Sequence, residues 1–179
     1  LAASIDQIDH GERGPIVEGG DDAPYRAMWA RPGVVGQSVR EWRAVTAALA
    51  ALAEVDETRI GFWGLSMGTM FGMTFVADEP LVRAAVLGLA GLTGPSVERS
   101  GIRPVFEAAA PRIACPVMWV VQWDDERFDR HSALELYALL GATDKRLQST
   151  PGLHGGMSEE ARETVRRFLA GRLLGAPLP

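Results

Sequence analysis

Ile60 to Ala77 runs for eighteen residues without a charge, and this stretch constrains the fold more than any other. Its length touches what a helix needs to cross a bilayer. Its content argues against that use. Gly61, Gly64, Gly68 and Gly72 interrupt it, and Ser66, Thr69 and Thr74 place hydroxyls along it. The stretch divides into an apolar run of strand type from Arg59 to Gly64, a tight turn, and a helix without a polar stripe from Met67 to Ala77. A helix that is apolar all round must lie in an interior, and a strand feeding it must be covered on both faces.

The same alternation continues along the chain. Ser38 to Ala53 has Val39, Trp42, Val45, Leu49 and Leu52 at helical spacing. Ala84–Leu89, Val117–Gln122 and Arg146–Ser149 are strand-like, the first two as continuous apolar runs. Asp129 to Leu140 is a helix closed by Gly141. Ser158 to Leu174 is the last helix, with Ser158 as N-cap, Glu159 and Glu160 in the first turn, and Arg166, Arg167 and Arg172 toward its end. Leu1 to Ile5 is expected to be a short strand. Val17 to Gly36 is expected to be loop with a helical turn near Tyr25–Ala30, and Ala90 to Pro111 an irregular excursion. Alternating strands and helices with continuous apolar strands predict an α/β fold: a mostly parallel sheet with helices on both faces. At 179 residues the chain is expected to form one domain, 1–179.

Composition narrows the partners. Asp plus Glu is 23 against 18 Lys plus Arg, a net charge of −5, and no basic run is present. Nucleic-acid binding is therefore not expected, because phosphate contacts need clustered Lys and Arg. Cys115 is the single cysteine, so no intramolecular disulfide can form. Three histidines lie scattered without ligand spacing, so neither a metal nor another cofactor is expected. Leu1-Ala2-Ala3-Ser4 lacks the features of a secretory signal, and the expected compartment is the cytoplasm, away from membranes. The chain opens on Leu1 in an apolar run, which suggests a processed piece or a fragment.

The chemistry concentrates at Gly64-Leu65-Ser66-Met67-Gly68, between the strand and the buried helix. A sharp strand-to-helix turn strains the central residue and calls for small residues two positions before and after it. Ser66 is thereby displayed at the carboxyl edge of the sheet, where the helix N-terminus favours negative charge. A serine needs a base, and the base an orienting acid. Downstream of Ser66 the histidines are His131, inside a helix, and His154, in the glycine-rich Thr150-Pro151-Gly152-Leu153-His154-Gly155-Gly156. The strand ending at Gln122 leads into Trp123-Asp124-Asp125-Glu126.

From Val55 to Gly68 the chain resembles the nucleophile-elbow region of the α/β-hydrolase superfamily, in its serine esterase and dienelactone-hydrolase branch, with serine where true dienelactone hydrolases carry cysteine. The resemblance implies the order serine, acid, histidine: Ser66 as nucleophile, His154 as base, Asp125 as acid. The family's Gly-x-x-Asp pattern has Gln122 in place of glycine here, which makes Asp125 the match and Asp124 the alternative. It also implies the Met67 N–H as one oxyanion donor. Asp6-x-x-Asp9-His10-Gly11 resembles the loop after the family's fourth strand, which would leave the first three strands outside this chain and the second oxyanion donor unassigned, unless the His10–Gly11 loop supplies it. The short span between the strands at Leu89 and Val117 implies no large lid, with Gly91–Pro111 at most a small flap. Trp123, Phe128, Leu92 and Met157, with Met28 and Trp29, are the candidate pocket residues.

The expected activity is hydrolysis of small or medium carboxylic esters through an acyl-enzyme; thioesters, lactones and acyl transfer share that chemistry. The competing reading is an inert or partner-dependent fragment acting as a binding or assembly module. An unpaired strand edge favours self-association, or pairing with a missing half of the fold.

Overall fold

The computed structural model describes residues 1–16 and 22–175. Four parallel strands form a sheet in the order β1 (Ile60–Trp63), β2 (Val82–Gly88), β3 (Val117–Gln122) and β4 (Lys145–Thr150). Each strand pairs with the next in sequence, and the register runs from Phe62↔Ala85 through Leu87↔Trp119 to Trp119↔Leu147. The connections carry the helices α1 (Asp22–Ala30), α2 (Val34–Ala50), α3 (Met67–Asp78), α4 (Pro95–Ser100), α5 (Arg103–Ala109), α6 (Arg130–Leu139) and α7 (Glu159–Leu174).

The period-2 alternation of the central strands separates two cores. Ala85, Leu87, Val117, Trp119 and Val121 face one layer, where they pack with Phe71 and Phe75 of α3, Phe106 of α5 and Leu136 of α6. Ala84, Val86, Met118 and Val120 face the other, where they pack with Ala161, Val165 and Phe168 of α7. Helices thus cover both faces of a parallel sheet, the architecture expected from the uninterrupted apolar strands.

Helix ends follow local chemistry. The Asp129 side chain accepts the Ser132 N–H at 3.1 Å to start α6. Ser158 accepts the Ala161 N–H at 3.2 Å to start α7, which stops at Gly175 in left-handed conformation. α3 has no polar face because it lies between the sheet, α2 and α5.

Three expectations change. Leu1–Ile5 is not a strand: it finds no ladder partner among the described residues, and an extended segment without a neighbour gains no sheet hydrogen bonds. Ala90–Pro111 is not irregular: α4 and α5 form there, each with a proline in its first turn, where the missing N–H costs nothing. The span from 17 to 36 is more helical than expected, since α1 occupies Asp22–Ala30 and α2 already begins at Val34 after Gly33 at φ 76°; positions 17–21 lie outside the described residues.

Among the described residues β1 is an edge strand. Beside it opens a cleft of about 490 Å³, lined by Leu1–Ala3, by Trp42, Val45 and Leu49 of α2, by Ile60–Trp63, and by Leu169 and Leu173 of α7. Ser66, Asp125 and His154 do not line it. Among the described residues no helix is long and apolar enough to cross a membrane.

Candidate active site

Three loops meet at the carboxyl ends of β1, β3 and β4. The first is the turn from β1 into α3. Ser66 sits there at φ 55°, ψ −117°, a conformation that costs a non-glycine residue about 1–3 kcal/mol. The surroundings impose it. The Ser66 N–H donates to the Gly88 carbonyl at 3.0 Å, and the Ser66 carbonyl accepts the N–H groups of Thr69 and Met70, both at 2.9 Å. Thr69 is fully buried, and its hydroxyl lies 2.8 Å from the Gly64 oxygen and 2.7 Å from the Gly88 oxygen while accepting the Gly88 N–H at 2.9 Å. It pins the turn to the end of β2.

The two glycines of the turn differ. A Cβ on Gly64 would stand 2.6 Å from the Phe62 ring and 2.7 Å from the Gly68 oxygen, so only glycine fits. A Cβ on Gly68 would meet nothing within 4 Å. The expectation that both flanking positions must be small therefore fails at Gly68, which already lies within regular helix.

The second loop follows β3. Asp125 Oδ1 accepts the N–H groups of Arg127 at 2.8 Å and Phe128 at 3.1 Å, which fixes its carboxylate. The third follows β4 and carries His154, which is 6% exposed. His154 Nδ1 lies 2.8 Å from Asp125 Oδ2, and Nε2 lies 2.7 Å from Ser66 Oγ. An ionised carboxylate only accepts, so Nδ1 carries the proton and Nε2 accepts from the Ser66 hydroxyl. The Phe128 ring stands 5.8 Å from the imidazole at 31° and closes one side of it.

The second and third loops are zipped together. Trp123 N–H donates to the Thr150 carbonyl at 2.8 Å and Asp124 N–H to the Gly152 carbonyl at 3.1 Å. Asp124 Oδ2 accepts the Gly152 N–H at 3.3 Å and does not meet the imidazole. Glu126 Oε2 accepts the His154 N–H at 2.8 Å, and that bond holds the Glu126 carboxyl below its usual range. Gln122, fully buried, accepts the Thr150 hydroxyl and donates from Nε2 to the Leu153 carbonyl at 3.3 Å.

The other expected residues distribute as follows. Met67 is the first residue of α3, where a helix leaves its amides without intrahelical acceptors. Leu92 and Phe128 are buried in the α3-side core and Met157 in the α7-side core. Trp123 is exposed, with the Arg130 guanidinium 4.4 Å above its ring. Met28 and Trp29 are buried, and Trp29 stacks on Phe71 at 4.5 Å. His131 is exposed on α6. The His10–Gly11 turn packs toward α2, where Gln7 donates to Ser38 at 2.9 Å and Arg13 pairs with Glu41 at 2.8 Å. Among the described residues no cluster of three or more His, Cys, Asp or Glu side chains is placed to hold a metal ion. Sequence reasoning missed Thr69, Gln122 and Glu126. Only the substitution of Gln122 for the family's glycine was a signal.

No protein-family model matches the chain, and no curated protein does. Solved structures do. The native structure of a cold-adapted esterase from an Arctic intertidal metagenomic library matches at 32% identity and TM-score 0.73, over 83% of this chain and 64% of that one. The polyethylene-glycol-bound form of such an esterase matches at 33% identity and TM-score 0.77, over 92% and 66%. The chain thus spans just under two thirds of their length. The α/β hydrolase GrgF from Penicillium sp. sh18, at 16% identity and TM-score 0.65 over 78% and 73%, shares the fold. Layer order, strand order and these likenesses agree: the chain has the α/β-hydrolase fold.

Proposed function

We propose that the protein is a serine hydrolase that cleaves carboxylic esters of small or medium acyl groups. One observation carries the reading: the continuous hydrogen-bond chain Ser66 Oγ–His154 Nε2 at 2.7 Å and His154 Nδ1–Asp125 Oδ2 at 2.8 Å. Ser66 Oγ attacks the acyl carbonyl carbon while His154 Nε2 takes its proton. The resulting oxyanion draws on the Met67 N–H at the α3 start. His154 then protonates the departing alcohol as the carbon–oxygen bond breaks, leaving an acyl group on Ser66. Water attacks that acyl group, His154 takes the water's proton and returns it to Ser66, and a carboxylic acid leaves. Asp125 holds the imidazole in the required tautomer throughout.

The substrate class rests on two supports. Structures at 32–33% identity are esterases. The β2–β3 connection holds the short helices α4 and α5 and a 3-10 turn at Ala110–Arg112, so it inserts no large lid over the site. Thioesters and lactones fit the same chemistry. A binding or assembly role without catalysis is the second reading, favoured by the open edge of β1 and its apolar cleft.

The test is intact mass after incubation with a fluorophosphonate probe, together with hydrolysis of p-nitrophenyl esters of graded chain length, on the wild type and Ser66→Ala. Stoichiometric labelling and turnover that both vanish in Ser66→Ala support the hydrolase. An unlabelled, inactive wild type sinks it in favour of the second reading.

A further inference from the structure

The peptide group joining Leu153 to His154 is held at both ends by residues that flank Asp125 in the chain, Gln122 at the end of β3 and Glu126 in the loop after it. Its N–H donates to Glu126 Oε2 at 2.8 Å. Its C=O accepts from Gln122 Nε2 at 3.3 Å, and also from the Gly156 N–H at 2.8 Å. The two polar atoms of a trans peptide point in opposite directions, so Gln122 and Glu126 grip opposite edges of one plane. Gln122 is itself immobilised: it is fully buried, and its Oε1 accepts the Thr150 hydroxyl. Between the two grips, Asp125 Oδ2 takes the imidazole at 2.8 Å.

We infer that Gln122 and Glu126 are positioning residues: they clamp the 153–154 peptide, and so set the distance between His154 Nε2 and Ser66 Oγ. The surrounding segment needs such a restraint. Gly152 stands at φ 124°, Gly155 and Gly156 follow His154, and Leu153 is 60% exposed, so the loop has little packing of its own. A carboxylate bonded only to the ring fixes rotation about the side chain and leaves the backbone free. The clamp removes that freedom. It also explains a glutamine where a glycine is usual in this family: glycine has no side chain with which to reach Leu153.

The inference rests on the hydrolase reading for its kinetic consequence and on the hydrogen bonds alone for its structural one, so the experiment has an arm for each. The first arm measures amide hydrogen exchange at His154 in wild type, Glu126→Ala and Glu126→Gln. Glu126 is half exposed, so its removal leaves the core intact. Exchange at His154 is expected to rise at least about tenfold in the alanine variant and to stay near wild type in the glutamine variant, whose amide oxygen still accepts. Unchanged exchange in Glu126→Ala overturns the clamp.

The second arm follows p-nitrophenyl ester hydrolysis and the rate of fluorophosphonate labelling in Glu126→Ala, Gln122→Met and their double variant. kcat and labelling rate are expected to fall about 10- to 100-fold in each single variant with KM within about twofold. Glu126→Gln should recover most of the loss. Because both residues hold one peptide, the double variant should stand within about threefold of the worse single variant. Losses that multiply, or kcat at the wild-type value once exchange has risen, overturn the positioning role. A wild type that is never labelled removes the hydrolase reading, and the exchange arm still decides the clamp.

Discussion

The Thr69 hydroxyl accepts the Gly88 N–H at 2.9 Å and stands 2.7 Å from the Gly88 carbonyl, tying the first turn of α3 to the last residue of β2. Gly88 in turn lies so close to β3 that a Cβ there would stand 2.2 Å from the Val120 oxygen. The strained Ser66 backbone is thus held through Thr69 to the middle of the sheet. Thr69→Val keeps the shape and removes the hydroxyl, leaving a buried N–H without its partner. It should destabilise the fold by about 1–3 kcal/mol in urea denaturation, with Thr69→Ser recovering most of that. A valine variant as stable as the wild type would show that the staple is dispensable.

The strain at Ser66 should be measurable as stability. Glycine tolerates φ 55° without a Cβ penalty, at some cost in unfolded-state entropy. Relative to Ser66→Ala, which keeps the strained Cβ, Ser66→Gly is expected to be more stable by about 1 kcal/mol in equilibrium unfolding. Both should be inactive. Equal stability of the two variants would mean that the turn stores no strain.

Asp124 and Asp125 should separate kinetically. Asp125→Asn changes the carboxylate that meets His154 Nδ1 and, on the proposed mechanism, should lower kcat by about 10³–10⁴-fold. Asp124→Asn touches only an exposed bond to Gly152 and should stay within about threefold of wild type. Steady-state ester hydrolysis by the two variants distinguishes them, and the reverse ranking would transfer the acid role to Asp124.

The asymmetry of the turn glycines predicts opposite outcomes for the same substitution. Gly64→Ala forces a methyl into the Phe62 ring and the Gly68 backbone, and should lower stability by about 1–3 kcal/mol. Gly68→Ala enters open space in a helix and should be neutral or stabilising, by up to about 1 kcal/mol. Thermal melts of the two variants decide, and Gly68→Ala as damaging as Gly64→Ala would contradict the geometry.

Burial pushes the Cys115 thiol up to about 11. The folded protein should therefore react slowly with a thiol-specific disulfide reagent at pH 8 to 9, and much faster after denaturation. Because the folded state keeps its proton where the unfolded thiol loses it, this group's contribution to stability is complete below the unfolded value near 9. It declines as pH climbs toward 11. Urea midpoints across that window should fall less in Cys115→Ala than in wild type. Identical slopes would show that the thiol is not so affected.

The elbow motif and the family resemblance pointed to Ser66, to His154 and to Asp125 with Asp124 as the alternative, and the fold brings His154 to 2.7 Å from Ser66 and 2.8 Å from Asp125. That was legible because each belongs to a local pattern: a strand, a turn and a residue at the strand's carboxyl end. A parallel sheet gathers such ends along one edge. The α/β class was legible for the same reason, since β2 from Ala84 to Leu87 and β3 from Val117 to Val121 are continuous apolar runs of the kind that two helical layers cover.

What the sequence determined by itself is local: the periods, the helix cap at Ser158, and the turn that needs Gly64. Tertiary structure alone decided which carboxylate meets the imidazole, because Gln122 in place of glycine obscured the register of the β3 exit loop. It alone recruited Thr69, Gln122 and Glu126, whose partners lie 19, 31 and 28 residues away. And it left Leu1–Ile5 outside the sheet. Hydrogen bonds of that range depend on the relative placement of whole elements, and no window of sequence encodes that placement.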